Sequence, residues 1–428
     1  MKKAINKLNQ RLRINLSIMV LSLCTVFLFL SNSAMAQTTP TFSGGTGTQT
    51  APYLISTPAN LTEMANYVNG TNGYTQNSFS GKYFQMTNDI DMSSVSNFTP
   101  IGIGPTNGTS FQGIFDGNNN KVLNLKEDGT GTVGGLFGMI YKNGTNDAIV
   151  KNLGIISANI RLVKTGTGTD AGTIGAIAGG VNGGNIINCY VRNSQVKANC
   201  KISGGLVGTI YNGTHIYNCY ISGTTVELQG NNTYVGGLIG WGYSGSNIVQ
   251  NCYSTSVLSS TTTNNTITYI GGIYGYVYST NTIKNCYYRT DWKGTNLTGT
   301  ITENSTYNSN SSTIYSKATT DMQASSFVSS TGGAGTTLNL ASTVVSGATT
   351  YQTDYSTPFQ LNDGYPIFTT QIAQIISGSG TQAAPFLIST PDDLIKLANY
   401  VNGTNGYTQN GFSGKYFQMT NDIDMSSV

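Results

Sequence analysis

Between residues 134 and 288 the apolar positions come in short runs of period two, broken at two recurring motifs. The first motif reads GGLFG at Gly134–Gly138, GGLVG at Gly204–Gly208, GGLIG at Gly236–Gly240 and GGIYG at Gly271–Gly275, with a variant GAIAG at Gly175–Gly179. The second is Asn-Cys-Tyr, beginning at Asn188, Asn218, Asn251 and Asn285, with Asn152-Leu153-Gly154 as its variant. Successive Leu/Ile positions of the first motif lie 41, 29, 32 and 35 residues apart. Fixed motifs with unequal spacing imply constant strands joined by variable loops, the mark of a solenoid or propeller. Alternation predicts that Leu136/Gly138/Ile140, Leu206/Gly208/Ile210 and Ile273/Gly275/Val277 point inward. In the second motif the Cys and the residue two later (Val191, Ile221, Ser254, Tyr288) should also point inward. A third short strand follows at Val196/Ala198 and Val226/Leu228. The Asn ahead of each Cys suits a bend, because Asn tolerates the left-handed conformation.

Three short strands per turn without helices predict an all-β fold, a right-handed parallel β-helix over residues 96–289. A propeller needs four strands per blade and about 40–45 residues, for which the two spacings near 30 are tight. Ahead of the coils, Thr57-Pro58 opens a helix over about 58–69, with Leu61, Met64, Ala65 and Val68 on one face. An amphipathic helix there would cover the open strand edges at the solenoid's start. Residues 37–95 therefore read as a capping segment. Gly45–Val95 recurs as Gly378–Val428 with 42 of 51 positions identical, so residues 376–428 begin a second, truncated module, as in a fragment of a longer tandem protein. Residues 290–316, rich in Thr, Ser and Asn, read as a linker. Residues 317–371 read as a segment closing the far end.

Composition changes this picture in two ways. The first 13 residues carry five Lys or Arg, Ile14–Leu30 is mostly apolar, and SNSAMA at 31–36 ends in small residues. That order predicts a secretory signal at 1–36 cut between Ala36 and Gln37, with no membrane span in the mature chain. Beyond Ala36 the balance is 16 Lys+Arg (21 − 5) against 18 Asp+Glu, so a basic surface for nucleic acid is unsupported. The single histidine, His215, excludes a two-His zinc site. It lies in a variable turn with no acidic neighbour in sequence and reads as a surface residue. The expectation is no cofactor, no metal and no catalytic set.

Polysaccharide-active enzymes also use β-helices, and they need carboxylates or basic groups facing one groove. The outward positions of the Asn-Cys-Tyr strands carry Gly154, Tyr190, Tyr220, Tyr253 and Tyr287 and no acid. Asp89, Asp91 and Asp116 fall beside Asn and Gly, where turn residues belong. Stacked cysteines at about 4.8 Å sit too far apart for disulfides, so Cys189, Cys219, Cys252 and Cys286 read as a buried thiol column. The outward face of the glycine-motif strands is aromatic: Tyr211, Trp241, Tyr243, Tyr274, Tyr276 and Tyr278. Such a face is either covered, with the loops at 163–172 and 259–268 as candidate covers, or it binds something, and Tyr and Trp suit sugar rings or partner proteins.

The G-G-L-x-G and N-C-Y repeats resemble the GLUG motif of long exported bacterial proteins, often from gut Bacteroidetes, over roughly residues 45–371. The GTGTQTAPYLIST, FQMTNDIDM and GYPIF stretches are also similar to parts of such proteins. The resemblance implies an extracellular or cell-surface, adhesin-like, non-catalytic protein whose partner is a glycan or a surface protein of a host or neighbouring cell. It supplies no catalytic residues. A polysaccharide lyase or hydrolase, and a passive stalk for a domain beyond Val428, are the alternatives.

Overall fold

The computed structural model describes residues 37–294 apart from 105–107, 165–171, 230–233, 261–268 and 279. It also describes 1–15 except 12 and 14, and, beyond 294, the stretches 302–303, 314–324, 327, 338, 343–346, 349–352, 359–361, 366–368, 382, 385–388, 391–402, 411–420, 422–423 and 425. Ala36 and most of the apolar run lie outside the described residues. Gln37 is already engaged: its N–H donates to the Gly73 carbonyl at 2.8 Å, and its carbonyl accepts from Thr75 N at 3.1 Å.

The body is an all-β parallel solenoid. One coil runs through Ile202–Gly204, Val207–Tyr211, His215–Tyr217, Tyr220–Ser222 and Thr225–Leu228 before Tyr234 starts the next. Five strands per coil replace the expected three. The additional corners lie where the Gly pair reverses the chain and where Thr214, Asn247 or Asn281 closes a turn. Like strands stack into five parallel sheets. The aliphatic sheet has eight strands, from Tyr53–Ile55 through His215–Tyr217 to Thr282–Lys284. The tyrosine sheet also has eight, from Ile90–Asp91 through Tyr220–Ser222 to Ile314–Lys317. A third runs from Lys126–Gly129 to Val257–Ser260, a fourth from Val133–Gly134 through Tyr234–Gly236 and Tyr269–Gly271 to Thr302–Glu303. The glycine-motif sheet runs from Phe137–Tyr141 to Tyr274–Val277.

Register keeps chemistry in columns. Val150, Ile186, Ile216, Val249 and Ile283 stack in the interior, as do Ile155, Val191, Ile221, Ser254 and Tyr288. Between these columns the chain turns at an Asn. Asn152, Asn188, Asn218, Asn251 and Asn285 all have φ between 50° and 53°, the left-handed conformation the bend demands. Their amides form a ladder: Asn188 donates to Asn152 at 3.1 Å, Asn218 to Asn188 at 3.2 Å, Asn251 to Asn218 at 3.3 Å and Asn285 to Asn251 at 3.0 Å. Each cysteine then turns inward. Cys189, Cys219, Cys252 and Cys286 are fully buried free thiols, and Cys200, at a different corner, is also buried.

The outward tyrosines of this sheet are not a wet surface. Tyr190 and Tyr220 stack at 5.1 Å and 8°, Tyr220 and Tyr253 at 5.0 Å and 5°. Met322, Phe327 and Leu338 join them in one apolar cluster, with Phe327 edge-on to Tyr287 at 4.9 Å. Tyr253 Oη donates to the Pro366 carbonyl, and Asn285 Nδ2 to the Leu338 carbonyl at 3.2 Å. Met322, Phe327, Leu338 and Pro366 thus lie along the flank of the tyrosine column, while Ile314–Lys317 adds the sheet's last strand.

The capping helix spans Pro58–Asn69. Thr57 Oγ1 accepts from Asn60 N at 3.2 Å, and Gly70 ends the helix at φ 64°. Leu61, Met64, Ala65 and Val68 bury against the first coils. Asn69 ties the helix down, donating to the Pro100 carbonyl at 2.9 Å and accepting from Gly102 N at 2.9 Å. The second copy repeats this design: helix Pro391–Asn402, strand Phe386–Ile388 parallel to Phe417–Met419, and Phe412 at φ 47° matching Phe79 at 58°. What differs is the neighbour. Strand Tyr83–Met86 is paired by Ile114–Asp116, and Met86 is fully buried, whereas its counterpart Met419 is 58% exposed.

Acids and bases of the early coils pair across neighbouring turns: Lys121 with Asp89 at 2.8 Å, Lys151 with Asp116 at 3.0 Å and Arg161 with Asp128 at 2.7 Å. The aspartates also hold turns, as expected: Asp91 accepts from Ser93 N and Asp116 from Asn118 N. Burial would raise the Asp91 carboxyl, but hydrogen bonds from Asn124 and Ser93 outweigh it and hold it below its usual range. One acid breaks the pattern. Glu127 occupies the inward column shared by Ile160, Val196, Val226 and Leu258. Burial pushes its carboxyl well above the usual range, and the Gly135 N–H donated to Oε2 at 2.7 Å only partly opposes this.

Two predictions follow from this packing. Asn218→Ala should cost about 3 kcal/mol in urea unfolding, since it removes two amide contacts and strains a left-handed residue. Asn218→Gly should recover about 1 kcal/mol of that, and equal losses in both variants would show that the backbone conformation carries no cost. Glu127 takes up a proton on folding, so its stability contribution is fully present below the unfolded value and falls as pH rises through the raised folded value. Glu127→Gln should therefore match the parent near pH 4 and show the higher melting temperature at neutral pH, where the parent's buried carboxyl is disfavoured. Parallel melting curves across pH would refute it.

Candidate functional site

The Gly pair joins a strand of the fourth sheet to one of the glycine-motif sheet through two residues, so the two strands lie almost against each other. A Cβ on Gly204 would meet the Val207 carbonyl at 1.9 Å, and one on Gly208 would meet Thr173 Oγ1 at 2.2 Å. That closeness fixes the motif's glycines and also breaks the alternation. Pairing steps from Val207 to Thr209 against Ala178 and Gly180, passing over the glycine. The residue after the Leu therefore joins the Leu inside: Phe137, Val207, Ile239 and Tyr274 are fully buried in the main core. Tyr274, expected on the outer face, is a core residue. Burial pushes its phenol well above the ordinary range, and its hydroxyl has no hydrogen-bond partner among the described residues.

The remaining aromatic positions do come together on the outside. Tyr211, Tyr243 and Tyr278 line up at the strand ends, with Tyr211–Tyr243 at 5.8 Å and Tyr243–Tyr278 at 5.3 Å. Trp241 pairs in register with Tyr276 one column over. A third column, missed in the sequence reading, comes from the fourth sheet: Tyr234 pairs with Tyr269. Tyr234 stacks on Trp241 at 4.9 Å and 19° and on Tyr269 at 5.6 Å and 15°. Tyr269 leans on Tyr276 at 4.6 Å. The signal was present in the chain, since Tyr234-Val235-Gly236-Gly237 and Tyr269-Ile270-Gly271-Gly272 repeat one pattern whose alternation sends both tyrosines outward.

The result is a floor and a wall. Trp241 and Tyr276 stand at 87° to Tyr243 and Tyr278 respectively. Tyr243 and Tyr278 are the most open, 38% and 40% exposed, and the other rings are half-buried against one another. Trp241 Nε1 is buried with no hydrogen-bond partner among the described residues. Burial raises the Tyr211 and Tyr234 phenols above their ordinary value, reinforced by Tyr243 for the first and by Tyr269, Tyr278 and Tyr276 for the second. In earlier coils the positions equivalent to Trp241 and Tyr276 hold Met139, Gly180 and Thr209, which are buried. The aromatic cluster thus belongs to the later coils. Of the loops expected to cover it, 163–172 and 259–268, residues 165–171 and 261–268 lie outside the described residues.

A second recess, about 420 Å³, lies on the aliphatic sheet between Gln49, Tyr83, Asp116, Asn146, Asp147 and Lys151. Its two acids are each engaged by a lysine, Asp116 by Lys151 at 3.0 Å and Asp147 by Lys142 at 2.8 Å. His215 opens a strand instead of sitting in a turn and is half-buried. Burial, then Lys142, lowers its pKa, and Tyr217 packs edge-on at 5.7 Å. Among the described residues no three His, Cys, Asp or Glu side chains are grouped to hold a metal.

No family model matches this chain. It is 30% identical over 166 residues to a protein of Evansella cellulosilytica named as a candidate Gly-rich membrane protein, covering 36% of this chain and 17% of that relative. Among solved structures it is similar to one from Bacteroides ovatus named as a candidate immunoglobulin A1 protease, with 22% identity, TM-score 0.39, and coverage of 66% of this chain and 88% of that one. No helix among the described residues is long and apolar enough to cross a membrane.

Tyr274→Phe should leave the outer face unchanged and hold or raise stability by about 1 kcal/mol, because it deletes a buried hydroxyl without a partner. Tyr274→Ala should cost about 3–5 kcal/mol through the cavity it opens. Chemical denaturation checks both, and a large loss in the Phe variant would reveal a partner for the hydroxyl.

Proposed function

We propose that this is an exported, surface-associated recognition protein of GLUG type that binds carbohydrate through the outer aromatic face of its later coils. The observation that carries the reading is the cluster of Tyr211, Tyr234, Trp241, Tyr243, Tyr269, Tyr276 and Tyr278, assembled from two sheets on the outside of a solenoid that already has its core. Rings of this kind offer apolar faces and edges to the C–H groups of a sugar, with hydroxyls at hand for hydrogen bonds. The basic and apolar N-terminal run followed by SNSAMA supports export. A solenoid supplies a rigid rod on which such a face is displayed clear of the cell.

The test is binding of the chain from Gln37 onward to immobilised polysaccharides, with the double variant Tyr243→Ala/Tyr278→Ala beside it. Each ring contact is worth about 0.5–1.5 kcal/mol, so the pair should weaken binding by roughly 5- to 150-fold while the melting temperature stays close to the parent's. Unchanged binding in the variant would remove this face from the function. Capture of a surface protein in place of glycan would replace the partner, and release of shortened glycan during the assay would favour the polysaccharide-active reading.

A further inference from the structure

The coils that carry the rings are almost devoid of charge. From Ile202 to Ile283 the chain has a single Asp, Glu, Lys or Arg, which is Glu227. Glu227 belongs to the third sheet, in strand Thr225–Leu228, and its Oε1 accepts from Gln229 Nε2 at 2.7 Å. The early coils, by contrast, are laced with Lys–Asp and Arg–Asp pairs between turns. At the margin of the aromatic face stands Lys201, whose carbonyl accepts from Tyr234 N at 3.1 Å. The polar groups the face offers are neutral phenol hydroxyls, the indole N–H of Trp241 being buried.

Resting on the carbohydrate reading, we infer that the ligand is an uncharged glycan, and that uronate-, sulfate- or phosphate-bearing polymers are excluded. Recognition of such anions uses Arg or Lys forks that match the oxyanion in pairs. Seating a carboxylate among ring edges with no counter-charge strips its water without replacement, which is costly. A neutral sugar carries no such penalty: its C–H face packs on a ring and its hydroxyls meet phenols. The contact is also short along the solenoid. Tyr211, Tyr243 and Tyr278 sit on three successive coils, so the wall spans roughly 10 Å at about 4.8 Å per strand, and a few sugar units fill it.

The experiment is affinity electrophoresis or calorimetry of the chain from Gln37 with a neutral glucan, mannan and xylan, and with polygalacturonate and hyaluronan. Each is run at about 20 mM and about 500 mM NaCl, conditions that differ strongly in screening. At least one neutral polymer should bind, with less than a twofold change between the salts, and Lys201→Ala should shift its affinity by less than twofold. Preference for a polyanion, with a tenfold or greater loss at high salt or on Lys201→Ala, would overturn the neutral-ligand inference while leaving carbohydrate binding standing. Binding of neither class would overturn both.

Discussion

From Asn152 onward each coil turns sharply between the aliphatic and the tyrosine sheets, and it does so through one left-handed Asn. Most side chains resist that conformation by about 1–2 kcal/mol. Asn accepts it, and Asn brings an amide that can donate to one neighbour and accept from another. The ladder from Asn152 to Asn285 therefore satisfies polar groups in a corner closed to water and holds the coils in register. The buried cysteines, the interior aliphatic columns and the stacked tyrosines all depend on that register, because a parallel solenoid repeats at each position whatever its bend residue sets.

Polar ladders of another kind hold the ends. In the early coils Lys–Asp and Arg–Asp pairs link successive turns, and the capping helix is stitched down by Asn69. Half-exposed pairs of this sort contribute modestly, and their value lies in register more than in net stability. Toward the later coils charge disappears, and rings take over the outer surface. That division of one rod into a charged start and a neutral aromatic stretch is what gives the later coils their proposed role.

Glu127 and Tyr274 show how a repeating core tolerates exceptions. Each places a polar group in a column otherwise filled by aliphatic or small residues, and each keeps it neutral through burial. Both are internal and neither is near the open rings Tyr243 and Tyr278 in exposure, so the surface can vary without disturbing them.

Much of the fold was legible in the chain. Fixed motifs at unequal spacing imply constant strands, Asn before Cys implies a left-handed bend, and Thr57-Pro58 with an apolar stripe implies a capped helix, because these depend on neighbours in sequence. Tertiary structure decided the rest. Close approach of the fourth and glycine-motif sheets forced the chain past each motif glycine, which turned Tyr274 inward against its apparent alternation. The same approach brought Tyr234 and Tyr269 beside Trp241 and Tyr276, residues that share no strand. The tyrosine column, outward by alternation, became buried because Met322, Phe327, Leu338 and Pro366 pack along it. Period-two patterning tells which way a side chain leaves its own strand; what then covers it is set by chain that arrives from far away in sequence.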